Sequence, residues 1–185
     1  MKDEILSELR DKMNKSINVL KKELSKIRTG RASTALLEDI MVDCYDTQMP
    51  LKQVASISIP ESRLILIQPW DKSIMGDIEK GILRSELGLT PMNDGKVIRV
   101  PIPPLTEERR KELVKLVKKV GEDIKIAIRN NRREANEMFK ELKNEKEMSE
   151  DEHRRALNEV QEITDEFIEK VNRLVEEKEK EIMEF

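Results

Sequence analysis

Aromatic side chains make up only 3% of the 185 residues, with one tryptophan and one tyrosine among them, while charged residues reach 39%. A chain so poor in bulky apolar groups and so rich in charge is suited to long solvated helices with narrow apolar seams, not to a compact sandwich or barrel. Cysteine is almost absent too. Cys44 stands alone, so no internal disulfide forms, and with His153 as the sole imidazole there is no set of ligands for a protein-only zinc site and no nucleophile triad. No glycine-rich phosphate loop ending in Gly-Lys-Ser or Gly-Lys-Thr occurs, and the many Glu and Asp read as solvated helix faces instead of paired acids in a cleft. A non-enzymatic protein without metal or other cofactor is expected. The first 28 residues carry charges throughout and contain no apolar run suited to a signal peptide or a membrane span, which points to a cytoplasmic chain with no membrane partner.

Proline and glycine are scarce in a patterned way. All seven prolines lie between Pro50 and Pro104, and Gly121 is the one glycine in residues 1–29 and 106–185. Because both residue types interrupt helices, the flanks read as unbroken rods and the middle as a separate domain inserted between them. The expected division is a helical domain of residues 1–29 and 106–185, and an inserted domain of residues 30–105. Thr29, Gly30 and Arg31 lead in; Pro101, Ile102, Pro103, Pro104 and Leu105 lead out. Glycine frees the backbone of the first segment and proline stiffens the second, as befits a two-strand hinge.

In the first flank Leu6, Leu9, Met13, Ile17, Leu20, Leu24 and Ile27 recur every three or four residues, the seam of an amphipathic helix. A second helix is expected from about Thr106 to Lys146, with Leu113, Val117, Val120, Ile124, Ile128, Ala135, Met138 and Leu142 as its seam. A third follows a capping box at Ser149 and Glu152, with Leu157, Val160, Thr164, Phe167, Val171 and Leu174 on its apolar side. None of these narrow seams is stable by itself, so the economical arrangement is a three-helix bundle within one monomer; an intermolecular coiled coil is the alternative. The insert reads as a small α+β domain. Ile40–Cys44, Val54–Ile59, Leu64–Ile67 and Val97–Val100 are short β-branched runs, and Lys72–Leu87 is a helix that Asp71 or Ser73 caps and Gly88 ends.

The net charge of -3 hides an asymmetry, since residues 1–29 sum to +3, residues 30–105 to -2, residues 106–148 to +3 and residues 149–185 to -7. A bundle with two basic helices and one acidic helix has a positive side that RNA can use despite the acidic total. Lys111, Lys118, Lys125 and Arg132 recur every seven residues of the second helix, with Arg110 and Arg129 near the same line. Seven residues drift by only about 20°, so these cations form one stripe. It is expected roughly 130° from the apolar seam, facing away from the bundle, with Gly121 on the same face to let a partner's backbone approach. Arg129, Arg132 and Arg133 are its densest part, and their planar guanidinium groups suit phosphates and exposed bases.

Several segments resemble the ribosome recycling factor family: Ile27–Ser33, Pro69–Ser73, Leu87–Leu89 leading into Asn93–Gly95, Ile98–Pro101 through Pro104–Lys111, Ile128–Asn136 and the closing Glu181–Phe185. Thr34 stands where many members have proline, and Asp46 where they have a turn glycine. The resemblance implies an elongated three-helix bundle joined by a two-stranded hinge to a small β/α/β domain inserted after the first helix, together L-shaped and of transfer-RNA-like size. It implies ribosome recycling after termination: the bundle on the large subunit against ribosomal RNA, and the small domain displaced when elongation factor G hydrolyses GTP. By that likeness Arg132 is central to RNA binding, with Arg129, Arg133, Arg110 and Arg28 in support and Lys118 and Lys125 along the stripe. A general helical RNA-binding module and a coiled-coil scaffold are the readings that remain beside it.

Overall fold

Three long amphipathic rods account for most of the chain in the computed structural model, which describes residues 1–184: α1 (Lys2–Ser25), α4 (Glu107–Asn144) and α5 (Glu150–Glu184). Phe185, the last residue of the segment that resembles the family's end, lies outside the described residues. Between α1 and α4 come β1 (Met41–Cys44), β2 (Thr47–Pro50), α2 (Leu51–Val54), β3 (Ala55–Glu61), β4 (Leu64–Pro69), α3 (Met75–Arg84), β5 (Met92–Asn93) and β6 (Ile98–Pro101). The chain separates into two compact units, residues 1–27 with 111–184, and residues 28–110.

In the helical unit the seams meet along their lengths. Leu9, Met13, Ile17, Leu20 and Leu24 of α1, Leu113, Val117, Ile124, Ile128 and Phe139 of α4, and Val160, Ile163, Phe167 and Val171 of α5 are buried. Thr164 is buried among them and donates its hydroxyl to the Val160 carbonyl at 2.8 Å, so no polar atom of it is stranded. The capping box at the start of α5 is reciprocal: the Ser149 N–H donates to Glu152 Oε2 at 2.9 Å, and the Glu152 N–H to Ser149 Oγ at 3.1 Å. Thr106 caps α4 through Oγ1, which accepts from the Arg109 N–H at 3.1 Å. Opposite charge ties basic α1 to its neighbours: Lys2 to Glu159 at 2.7 Å, Arg10 to Glu166 at 3.2 Å, and Lys12 to Glu134 of α4 at 3.2 Å.

Two residues of α4 lie elsewhere than the sequence pattern places them, Met138 in the seam and Gly121 on the cationic face. Met138 is 38% exposed and the adjoining Phe139 is fully buried. Gly121 is not on the cationic face but buried in the seam, where an added Cβ would come within 2.5 Å of Val175 Cγ2 on α5. The helix tolerates its weakest residue there because α5 occupies the space that a side chain would need. Including Gly121 and Phe139 turns the buried face toward the cationic stripe, a shift that a hydrophobicity pattern misses because glycine carries no apolar signal.

The small unit pairs a β1–β2 hairpin with a four-stranded antiparallel sheet in the order β3-β4-β6-β5. Ile65 faces Val100 and Ile67 faces Ile98 across the central pair, all four buried, while Gln68 and Arg99 point to solvent; this alternation fixes the register. Ile78 and Ile82 of α3 close the core. Asp71 caps a single 3-10 turn, Lys72–Ile74, that leads into α3, accepting from the Ser73 N–H at 2.9 Å, and the expected helix ends at Arg84 instead of Leu87, four residues before Gly88 turns the backbone at φ 67°. Strands β2 and β5 and the short α2 carry too few apolar residues to be visible as a pattern.

The β1–β2 turn has Tyr45 at φ 53° and Asp46 at φ 58°, so both loop residues adopt the left-handed conformation of a two-residue hairpin without a glycine. Asp46→Gly is expected to raise stability by up to about 1 kcal/mol in urea unfolding, because it removes this Cβ strain. Gly121→Ala is expected to cost about 1 kcal/mol, the overpacking against Val175 exceeding the gain in helix propensity; in a Val175→Ala background the same change becomes neutral or stabilising. Asp94 closes the β5–β6 turn. The N–H groups of Val97 and Lys96, each at 2.9 Å, and the Arg99 guanidinium hold its carboxyl down from 3.8 to about 2. Its contribution is therefore complete above the unfolded value and lost as pH falls toward 2. Melting of Asp94→Ala is expected to lie below the parent near neutral pH, with the gap closing as acid is added.

Candidate nucleic-acid interface

The cations of α4 are placed by the geometry of one helix and the packing of its neighbour. Lys111, Lys118, Lys125 and Arg132 form a line, but each seven-residue step turns about 20° toward the seam, so the line winds inward along the rod. With the buried face centred near Val117 and Ala135, the stripe lies roughly 90° from it, not the 130° expected, and its far end lies closest to α5. Exposure follows the winding: Lys111 and Lys118 are exposed, Lys125 and Arg132 half-buried. Arg129 and Arg133 are exposed on the outer side.

The structure thus brings Lys118, Lys125, Arg129, Arg132 and Arg133 together along the middle of α4. Arg129 Nη1 donates to Glu122 Oε1 at 3.2 Å, a surface pair of little energetic weight that an RNA phosphate can displace. Arg132 Nη1 donates across to Gln161 Oε1 of α5 at 3.4 Å. Its Nε is screened from solvent and has no hydrogen-bond partner among the described residues, as is Asn136 Oδ1 one turn further on. The stem of Arg132 is therefore packed down while its tip reaches the rim of the bundle.

Arg28 and Arg110 belong to the small unit. Arg28 is half-buried and donates Nη1 to the Leu87 carbonyl at 3.1 Å, which gives it a structural task at the foot of α3. Arg110 is half-buried in the first turn of α4. The segments expected to form the hinge are also held within this unit. Thr29 and Gly30 are buried, with Gly30 at φ 82°; Arg31 precedes Ala32, whose N–H donates to the Ser62 carbonyl at 2.7 Å. Pro101 pairs with Leu64 in the sheet, and the buried Ile102 donates its N–H to the Arg63 carbonyl at 2.8 Å; Pro103, Pro104 and half-buried Leu105 then lead to α4. The turn at Ser62 and Arg63 thus grips both connecting segments.

Gln161 and Asn136 were not legible as part of this site. Asn136 recurs seven residues after Arg129 and four after Arg132, a spacing that a search for cations passes over. Gln161 sits on the acidic helix, where no charge pattern points to it. Among the described residues no group of His, Cys, Asp and Glu converges to hold a metal ion, and no helix is long and apolar enough to cross a membrane.

Comparison with known proteins agrees over the whole chain. The family model described as ribosome recycling factor matches residues 20–183. The ribosome-recycling factor of Carboxydothermus hydrogenoformans is 55% identical over 183 residues, covering 99% of each chain, and that of Bacillus licheniformis is 50% identical over 184 residues, covering all of both. A solution structure of a ribosome recycling factor superposes with a TM-score of 0.79 at 48% identity, over 100% of this chain and 98% of that one. A second structure, of the T. thermophilus ribosome recycling factor and the E. coli elongation factor G bound to the E. coli post-termination complex, gives a TM-score of 0.67 at 47% identity and covers 98% of both chains. Identity at this level and coverage from end to end decide the matter: the chain belongs to the ribosome recycling factor family.

Proposed function

We propose that this protein recycles ribosomes after translation termination, binding the large subunit through ribosomal RNA along α4 and, with elongation factor G and GTP, driving the subunits apart and releasing the ribosome from its messenger. The observation that carries the RNA contact is the cluster of Arg129, Arg132 and Arg133 beside Lys118 and Lys125 on one rigid helix. Guanidinium groups spaced along a rod match a backbone of regularly spaced phosphates, and a helix holds them in register where a loop would not. Arg110 and Arg28 are further RNA contacts in this reading.

The protein performs no reaction of its own; the GTP chemistry belongs to elongation factor G, and both act in the cytoplasm. What this chain supplies is a stiff body and a second unit able to move. The movement belongs in the two connecting segments, Thr29, Gly30 and Arg31 in one and Pro101, Ile102, Pro103, Pro104 and Leu105 in the other, outside the continuous helix α4 that begins at Glu107. The hydrogen bonds from Ala32 and Ile102 to the Ser62–Arg63 turn support this, because they tie the two segments to one turn at their sheet ends, so that the segments bend as a pair.

Subunit splitting of post-termination ribosomes, followed by light scattering with elongation factor G and GTP present, tests the reading. The parent is expected to split them. Arg132→Ala is expected to bind ribosomes at least about tenfold more weakly, with a salt dependence reduced by about one ion, and Lys118→Ala to lose only a fewfold. A parent that leaves ribosomes intact with a matched factor sinks the proposal.

A further inference from the structure

Arg132 has a support on the neighbouring helix. Its Nη1 donates to Gln161 Oε1, and Gln161 Nε2 donates to Asp165 Oδ1 at 2.8 Å, one turn along α5. Chemistry fixes the direction of this chain of contacts. A guanidinium only donates and a carboxylate only accepts, so the amide between them has to turn its NH₂ to Asp165 and its carbonyl to Arg132. The reverse orientation would set donor against donor and acceptor against acceptor. The charge on Asp165 also polarises the amide, which makes the carbonyl a better acceptor.

The contact holds Arg132 without using it up. At 3.4 Å it is long, and it takes one of the five N–H groups of the guanidinium. The stem is packed down, as the screened Nε shows, and the tip is tethered to Gln161, so stem and tip are both located before any ligand arrives. An arginine fixed in this way loses less side-chain freedom on binding than one that swings in solvent. The neutrality of Gln161 matters as well, because a carboxylate in its place would pair with the guanidinium and compete with a phosphate.

We infer that Gln161, backed by Asp165, is a positioning residue for the contact of Arg132 with ribosomal RNA, so that the RNA-facing edge is built by α4 and α5 together. This rests on the role given to Arg132 above. Gln161 and Asp165 are exposed, so their replacement leaves the core untouched.

The test is equilibrium binding to vacant ribosomes over a salt series for the full-length parent, Gln161→Ala, Arg132→Ala and the double variant, with thermal melting of each. Gln161→Ala is expected to bind three- to tenfold more weakly with an unchanged salt slope and melting temperature, since no phosphate contact is removed. The double variant is expected to bind no more weakly than Arg132→Ala alone. A Gln161→Ala protein that binds like the parent, or a loss that adds in full to that of Arg132→Ala, overturns the positioning role while leaving the RNA contact standing. If Arg132→Ala itself binds like the parent with the parent's salt slope, the RNA contact fails and the positioning role goes with it.

Discussion

Mutual burial of three narrow seams is the constraint on which the helical unit depends. Each of α1, α4 and α5 offers only a strip of Leu, Ile, Val, Met and Phe, and a helix of that composition does not stay folded in water by its own hydrogen bonds. Closing three strips on one another removes enough apolar surface to order all three rods at once. Gly121 shows how tight the closure is, since Val175 already stands where its side chain would be. Everything attached to α4 inherits that rigidity, and an arginine on a stiff rod keeps its position to within a fraction of what a loop would allow.

Charge is arranged around the same seam. Acidic α5 lies against basic α1, with Lys2–Glu159 and Arg10–Glu166 as the visible pairs, so much of the positive charge of α1 is answered within the bundle. On the outward flank of α4, Arg129 pairs with Glu122 of the same helix. Exposed ion pairs of this kind add little to stability. Their larger effect is on the field, because they set the acidic helix against a basic one in a protein whose total charge is negative.

The helices, their seams and the α5 capping box were legible because period and cap are local properties of sequence, and strands whose β-branched residues alternate were legible for the same reason. What escaped was set by neighbours. Gly121 read as a surface residue because glycine has no hydrophobicity to report, and that misplacement rotated the inferred seam and pushed the cationic stripe too far from it. Strands β2 and β5 are defined by the strands they pair with, not by their own residues. At the candidate site the cations were found by counting sevens, whereas Gln161 required knowing which helix lies beside Arg132.

The inward winding of the stripe gives Arg132 its distinct character among the cations of α4. A charge at the rim of an apolar seam is partly stripped of water, which disfavours it unless hydrogen bonds replace what is lost. Arginine tolerates this better than lysine, because its charge is delocalised, weakly hydrated and presented through several N–H groups, one of which is met here by Gln161. The partial loss of water also makes the group a stronger partner for a phosphate than a fully solvated lysine such as Lys118, since less hydration has to be removed on contact and the surrounding dielectric is lower. A helical period of 3.6 set against a spacing of seven therefore produces a graded row, from the exposed Lys111 and Lys118 through the half-buried Lys125 to the half-buried Arg132.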